Sequence, residues 1–377
     1  MRILVVTNDF PPTIGGIQSY IRDYLETLPA QDVVVFASTQ DAAAAQQWDA
    51  SVEYTVYRYP HALMLPTLNM RREMQRIIRA ENIDTVWFAA AAPLAILGRA
   101  AKQAGATKVI ASTHGHEVGW SMLPIARQIL NIIGRYADTI TYISAYTRNR
   151  FARAINAKEY YWLPSGVDIE RFHPVSESQR AHIRDTLGLK QESLIVVCIS
   201  RVVRRKGQDQ LIKVWPSILA RHPNAHLLIV GTGSYLPTVE ALAEKSGLKD
   251  SRIHLLGRIG DTEMVQYLQA ADIFAMPSRT IANGLDVEGL GIVYLEAQAV
   301  GLPVIAGNSG GSAETVTKDT AIVVEGTSIP QLREALFTLL DDASLRANMG
   351  KAGRAHVMVH WSWQRMGQRL REVLNYT

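Results

Sequence analysis

Two short runs concentrate residues whose types and spacing suit work on a phosphorylated ligand. The first is Ser200-Arg201-Val202-Val203-Arg204-Arg205-Lys206-Gly207. A guanidinium offers a planar fork and an ammonium a point charge, so Arg201 and Lys206 held on one loop can clamp a diphosphate. Gly207 lets the backbone turn closely as a helix begins. Taken alone, the octapeptide is equally compatible with a basic surface loop, and Arg204 and Arg205 are expected to be solvated. The second run is Glu288-Gly289-Leu290-Gly291-Ile292-Val293-Tyr294-Leu295-Glu296. Its glycines, Gly291 among them, precede a helical pattern reaching Ala299, and bare N–H groups at a helix start attract anions. Glu296, about two turns in, can accept hydrogen bonds from both hydroxyls of a ribose. Glu288 stays in the loop, where it can bind sugar hydroxyls. Paired carboxylates also hydrolyse glycosides, but these two lie too close in sequence to flank a bond from opposite sides.

Three weaker features accompany them. Gly15 and Gly16 follow Asn8-Asp9-Phe10, open the first helix and can face phosphate. Gly231-Thr232-Gly233 lacks the third glycine of a dinucleotide fingerprint. Thr113-His114-Gly115-His116-Glu117 follows a strand ending at Ser112, which puts His114 on a carboxyl-end loop. No second ligand cluster with metal spacing accompanies these histidines, and Asp286-Val287-Glu288 is only superficially a metal-binding triplet.

The elements that must position these residues are strands alternating with helices. Ile3-Leu4-Val5-Val6 is apolar without alternation, as in strands covered on both faces. Ile17, Tyr20, Ile21, Tyr24, Leu25 and Leu28 then recur at helical spacing. Further strands are expected at 33–37, 85–89, 108–112 and 139–143. The pattern restarts at 194–199, followed by strands at 227–230, 253–256, 273–276 and 303–306. Between the halves lies a linker marked by Leu163-Pro164-Ser165-Gly166-Val167-Asp168 and Phe172-His173-Pro174. The fold class is therefore α/β, with two Rossmann-like, doubly wound parallel-sheet domains expected to face each other across a cleft and ligands at the carboxyl ends of the strands. Trp361, Trp363, Met366, Leu370 and Leu374 form a terminal apolar stripe, expected as a helix packing back across the cleft.

Composition sets broad bounds. The chain has 377 residues, 47% hydrophobic and 20% charged, which suits an ordinary two-domain globular protein. Its net charge of +4 permits an acidic partner and demands none; no nucleic-acid partner is expected. The single cysteine, Cys198, sits in an apolar run, excludes an internal disulfide and is expected to be a buried small residue. The apolar start is ended by Asn8 and Asp9, too soon for a signal core. The longest apolar stretch, 85–98, is short of a membrane span. A cytoplasmic protein is expected, with a membrane-surface location still open.

Together these motifs resemble glycosyltransferase family 4, the retaining enzymes of GT-B fold, over nearly the whole chain. The resemblance implies that Arg201 and Lys206 hold the donor diphosphate, Glu296 the ribose and Glu288 the donor sugar. It implies close approach to the phosphates at Gly16 and Gly291, and a place for His114 beside the transferred sugar. It makes His114, Glu288, Arg201 and Lys206 the catalytic set, with no metal or other cofactor. Ser200 departs from the glycine usual there. The implied domains are 1–169 for the acceptor, 170–356 for the nucleotide-sugar donor, and 357–377 as the helix returning to the first domain. More narrowly, Thr7-Asn8-Asp9-Phe10-Pro11-Pro12 with Gly15-Gly16-Ile17-Gln18-Ser19-Tyr20, residues 113–120 and residues 286–297 resemble the GDP-mannose-dependent mannosyltransferases of phosphatidylinositol mannosides. That likeness implies an α-linked product, a phosphoinositide glycolipid acceptor facing Asp9 and Gln18, and peripheral attachment to the inner face of the plasma membrane.

Other readings keep a place. One is a family 4 hexosyltransferase using a UDP-sugar. Another is a sugar-nucleotide epimerase, which would need more acid–base groups than His114 and His116. A third is a binding protein without catalysis. Arg72, Arg76 and Arg79 share one helical face opposite Met70, Met74, Ile77 and Ile78, and a basic face can approach anionic lipid; Arg71 and Arg72 can alternatively meet the acceptor phosphate.

Overall fold

The computed structural model of the chain describes residues 1–376. It divides into two compact units. Unit 1 comprises Met1–Ser165 together with the C-terminal residues from Trp363; unit 2 comprises Gly166–Ser362.

Unit 1 is built on seven strands: β1 (Ile3–Thr7), β2 (Val33–Ala37), β3 (Thr55–Arg58), β4 (Thr85–Phe88), β5 (Lys108–Ser112), β6 (Thr139–Tyr142) and β7 (Tyr160–Trp162). They form one parallel sheet in the order β3-β2-β1-β4-β5-β6-β7. The unbroken apolar runs follow from burial on both faces. Leu4, Val6, Val34, Phe36, Val86 and Phe88 point into a core that includes Met70, Met74, Ile77 and Ile78 of the helix Leu68–Ala80. Ile3, Val5, Val33, Val35 and Trp87 point the other way, onto Tyr20, Ile21, Tyr24 and Leu25 of the helix Gly16–Leu25. The helix Trp363–Leu374 completes that second face with Met366, Leu370, Val373 and Leu374.

Unit 2 repeats the plan with six strands: β8 (Leu194–Ile199), β9 (Ala225–Val230), β10 (Ile253–Gly257), β11 (Ile273–Met276), β12 (Val304–Gly307) and β13 (Ala321–Val324). All pairs are parallel, in the order β10-β9-β8-β11-β12-β13. Cys198 is fully buried in β8, and burial pushes its thiol up to about 12.

The unit boundary near the C-terminus falls at 362/363, later than the 356/357 read from sequence. The helix Ala343–His360 packs within unit 2: a Cβ at Gly350 would lie 1.9 Å from the Gly301 carbonyl, and Arg354 donates to the carbonyls of Ile169, Phe172 and Ala299. The break follows it, where Trp361 O accepts from Val167 N at 2.7 Å.

Candidate functional site

In unit 2 the strand order reverses between β8 and β11. Neighbouring chains leave such a switch point in opposite directions and open a crevice at the carboxyl ends of the strands. The loops that emerge there, 200–207 after β8 and 277–291 after β11, carry the residues singled out from the sequence.

The first loop is held from three sides. Ser200 N donates to Val230 O and Val202 N to Thr232 O. Gln208 Nε2 reaches Ser200 Oγ at 2.8 Å and Arg201 O at 3.1 Å, so the serine has a local structural job. Gly207 has φ +81°, and a Cβ there would meet Pro277 O at 2.2 Å, so the loop closes onto its neighbour only with glycine. Gly231 and Gly233 serve the same packing: their Cα atoms press on the carbonyls of Ser200 and Val202.

Lys206 and Glu288 are brought together. Lys206 Nζ lies 2.6 Å from Glu288 Oε2, with each side chain 9% exposed. The backbone of Glu288 is fixed by Ser309 Oγ, 3.4 Å from its N–H, and by Gly311 N, which donates to its carbonyl at 2.8 Å. Arg205 Nε approaches the same carboxylate at 3.8 Å and Asp286 Oδ1 at 3.5 Å, and its side chain is only 13% exposed. Arg205 is therefore not the solvated residue expected; two acidic partners on the facing loop draw it inward. Arg204 is exposed as expected, and so is Arg201, whose guanidinium has no ion-pair partner among the described residues.

Gly291 caps the helix Ile292–Ala299, and no side chain satisfies its first N–H groups. Tyr294 anchors that helix by donating to Met276 O at 2.6 Å. Glu296 lies on its second turn. Desolvation pushes its carboxyl up to about 7, with Arg171 and Lys206 pulling down and Asp261 pushing up. A carboxylate so placed gains most from a ligand that offers hydroxyl donors.

Two further residues escaped the sequence reading. Asp209 and Arg279 form a buried two-pronged pair, Nη2–Oδ1 2.8 Å and Nη1–Oδ2 3.2 Å, while Arg279 N donates to Arg205 O at 2.7 Å. The pair ties the start of the helix Gln208–Leu219 to the loop after β11. Asp209's place in a first helical turn, two residues after Gly207, was the available signal.

In unit 1 the switch point lies between β1 and β4. The loop after β1 leads to Gly15, which caps the helix Gly16–Leu25 without a side-chain hydrogen bond; Gly16 is exposed, with open space beside it. Gln18 Nε2 reaches Asp9 Oδ1 at 3.2 Å, joining these two residues. His114 follows β5. Its Nε2–H donates to Ala89 O at 2.6 Å, leaving Nδ1 as the acceptor, and its ring sits edge-on 4.8 Å from Tyr20. Burial lowers its pKa from the ordinary histidine value, which favours the neutral ring. Glu117, which the sequence reading named in this run without giving it a role, is fully buried and organises the turn: its Oε2 accepts from the backbone N–H of His114 at 3.1 Å and of Gly115 at 3.0 Å, and its Oε1 lies 3.2 Å from His116 Nε2.

Arg71 and Arg72 are not joined to Asp9 or Gln18 by any hydrogen bond or ion pair among the described residues. Arg71 donates to Gln103 at 3.0 Å, and Arg76 is paired with Glu73 at 2.6 Å. No helix among the described residues is long and apolar enough to cross a membrane, and no group of three or more His, Cys, Asp or Glu able to hold a metal gathers among them.

Comparison with known proteins agrees with two sugar-transfer modules. The model of glycosyltransferase family 4 matches residues 14–171, and that of glycosyl transferases group 1 matches residues 179–356. The chain belongs to this glycosyltransferase family. Within it, the chain is 54% identical to the GDP-mannose-dependent monoacylated alpha-(1-6)-phosphatidylinositol monomannoside mannosyltransferase of Corynebacterium glutamicum, covering 99% of this chain and 97% of that one. It is 47% identical to the GDP-mannose-dependent alpha-(1-6)-phosphatidylinositol monomannoside mannosyltransferase of Mycolicibacterium smegmatis, covering 99% and 98%. Among solved structures, Anabaena Alr3699/HepE in complex with UDP superposes with a TM-score of 0.84 over the whole of both chains at 19% identity, a likeness of fold.

Proposed function

We propose that this chain transfers mannose from GDP-mannose to a phosphatidylinositol mannoside with retention, giving an α linkage. The observation that carries the reading is the 54% identity sustained over 99% of the chain with a relative of that printed activity. The geometry of unit 2 supports the donor half. Arg201 and Lys206 receive the diphosphate, the bare N–H groups after Gly291 add to them, Glu296 accepts the ribose hydroxyls and Glu288 the sugar hydroxyls. Cations held where negative charge grows on the departing diphosphate stabilise the transition state more than the ground state. In unit 1, Asp9 and Gln18 serve the acceptor, with Arg71 or Arg72 for its phosphate, while Gly16 and His114 serve the phosphates and the transferred sugar. The reaction needs no metal, and the enzyme works as a peripheral protein on the inner face of the plasma membrane. These assignments rest on the family resemblance together with the placements described above.

The test offers GDP-mannose and several UDP-sugars with a phosphatidylinositol mannoside in mixed micelles, with and without EDTA. GDP release that requires the acceptor, persists in EDTA and yields an α-anomeric product by NMR is the expected result. Release of UDP, or a β-anomeric product, overturns the reading. Interconversion of free nucleotide sugars without nucleotide release would instead identify an epimerase.

A further inference from the structure

The Arg72, Arg76 and Arg79 face is not the strongest candidate for a lipid-facing surface in unit 1. Arg76 is neutralised by Glu73, and the apolar side of that helix is fully committed to the core. A different surface combines unpaired positive charge with stranded apolar side chains. The short helix Glu117–Ser121 ends in a turn from which Met122 (53% exposed) and Leu123 (60%) project, and Ile125 (77%) follows on the first turn of the helix Pro124–Tyr136. That helix packs beside the helix Ala145–Ile155. A cavity of about 640 Å³ opens between them, lined by Met122 and Leu123 at one side and by Arg127 and Arg153 at another.

Charge is segregated here. Residues 117–159 contain Arg127, Arg135, Arg148, Arg150, Arg153 and Lys158 against Glu117, Asp138 and Glu159. Glu117 is fully buried on the backbone N–H groups of His114 and Gly115, and Glu159 accepts from Thr139 Oγ1 at 2.9 Å. Asp138 is already held by Lys102 at 2.5 Å and by Val109 N. Arg148 and Arg150 lie over the rings of Tyr142 and Tyr146. Arg127 and Arg153 are exposed and have neither an ion pair nor a side-chain hydrogen bond among the described residues. Exposed apolar side chains beside unpaired arginines cost solvation in water and gain on both counts at an anionic interface. A nucleic acid would use the arginines but leave Met122, Leu123 and Ile125 unexplained. An apolar protein partner would use those three and leave the cations unmatched.

We propose that this surface is where unit 1 docks on an anionic phospholipid bilayer, with Met122, Leu123 and Ile125 entering the headgroup–acyl boundary and Arg127 and Arg153 holding lipid phosphates. The proposal deepens the peripheral-membrane part of the function above.

Sedimentation of the full chain with phosphatidylcholine vesicles, with and without phosphatidylglycerol, tests it in the absence of any sugar nucleotide. Binding should require the anionic lipid and weaken with salt. Arg127→Gln and Arg153→Gln should each weaken it roughly fivefold, and Leu123→Asp with Ile125→Asp should abolish sedimentation, while Arg76→Gln and Arg79→Gln leave it unchanged. Acceptor-dependent GDP release in detergent micelles, run on the same variants, reports the transferase reading separately; it should stay near that of the unmodified chain. Equal binding to neutral vesicles overturns the proposal. So does retained anionic-vesicle binding in the Leu123 and Ile125 variants, or concentration-dependent self-association that those substitutions remove.

Discussion

The Lys206 ammonium and the Glu288 carboxylate form a buried ion pair at 2.6 Å, although one is assigned to the donor's phosphates and the other to its sugar. Each group thus arrives at the ligand already partnered. Breaking a buried pair by removing one member costs about 3–5 kcal/mol, because the other charge is left stranded. Lys206→Ala is therefore expected to lower both the melting temperature and kcat, the latter by about 10²- to 10³-fold. Lys206→Met combined with Glu288→Gln should recover the melting temperature without the rate. Arg201→Ala, at an exposed side chain, should lower kcat by a similar factor with an unchanged melting curve. Saturating-donor kinetics with thermal melts separate these outcomes; a change confined to donor KM would refute the leaving-group role.

Arg204 and Arg205 are adjacent, yet their environments differ. Arg204→Ala should leave kcat and stability within about twofold and 0.5 kcal/mol, as for ordinary surface charges. Arg205→Ala removes the cation beside Asp286 and Glu288 and should weaken donor affinity several-fold. Isothermal titration of GDP-mannose into both variants is the measurement; identical behaviour would mean that the facing carboxylates do not need Arg205.

Glu296 makes donor binding pH-dependent. Its carboxyl is raised to about 7 by burial, and ribose hydroxyls favour the ionised form, so binding expels a proton. Affinity for GDP-mannose should rise about tenfold from pH 6 to pH 8 and then level off. For folding the sign is opposite. A carboxyl raised from 4.5 to about 7 contributes stability at acid pH that is lost as pH climbs between those values, so at pH 8 Glu296→Gln should be more stable to unfolding than the unmodified chain by about 1–3 kcal/mol. The same variant should bind donor weakly at every pH. A pH-independent Kd in the unmodified chain would rule out this role.

Asp209 and Arg279 touch no substrate in the proposed reaction; they hold two loops in register. Asp209→Asn keeps the shape and loses the charge, and should raise donor KM more than it lowers kcat. Arg279→Lys, which cannot reproduce the forked geometry, should fail to rescue. If Arg279→Lys behaves like the unmodified chain, a generic cation suffices there.

Much of the scaffold was legible because buried parallel strands leave apolar runs. The strands missed, at 55–58, 160–162 and 321–324, are all sheet edges. Thr55-Val56-Tyr57-Arg58 and Tyr160-Tyr161-Trp162 are partly exposed and lack that signature. The loops bearing Arg201, Lys206 and Glu288, and the helix bearing Glu296, were legible because charge beside glycine at two strand ends recurs in one half of the chain, although the basic octapeptide alone would equally suit a surface loop. Asp209, Arg279 and the role of Glu117 were not, since each is defined by a partner or a degree of burial that residue type does not encode. Arg205 was misjudged for the same reason: Asp286 and Glu288 are 80 or more positions away in the chain and meet it only through the sheet.

The helix Trp363–Leu374 belongs to the unit whose first strand begins at Ile3. On the ribosome, unit 2 is therefore complete before unit 1 is. Until the last residues emerge, Ile3, Val5, Val33, Val35 and their neighbours lack Met366, Leu370, Val373 and Leu374, four buried side chains worth roughly 1.5–3 kcal/mol each. That sum is comparable to the whole stability of a domain. Synthesis in the usual order, in which the N-terminal domain folds first, therefore leaves unit 1 without these side chains until residues 363–374 have been made.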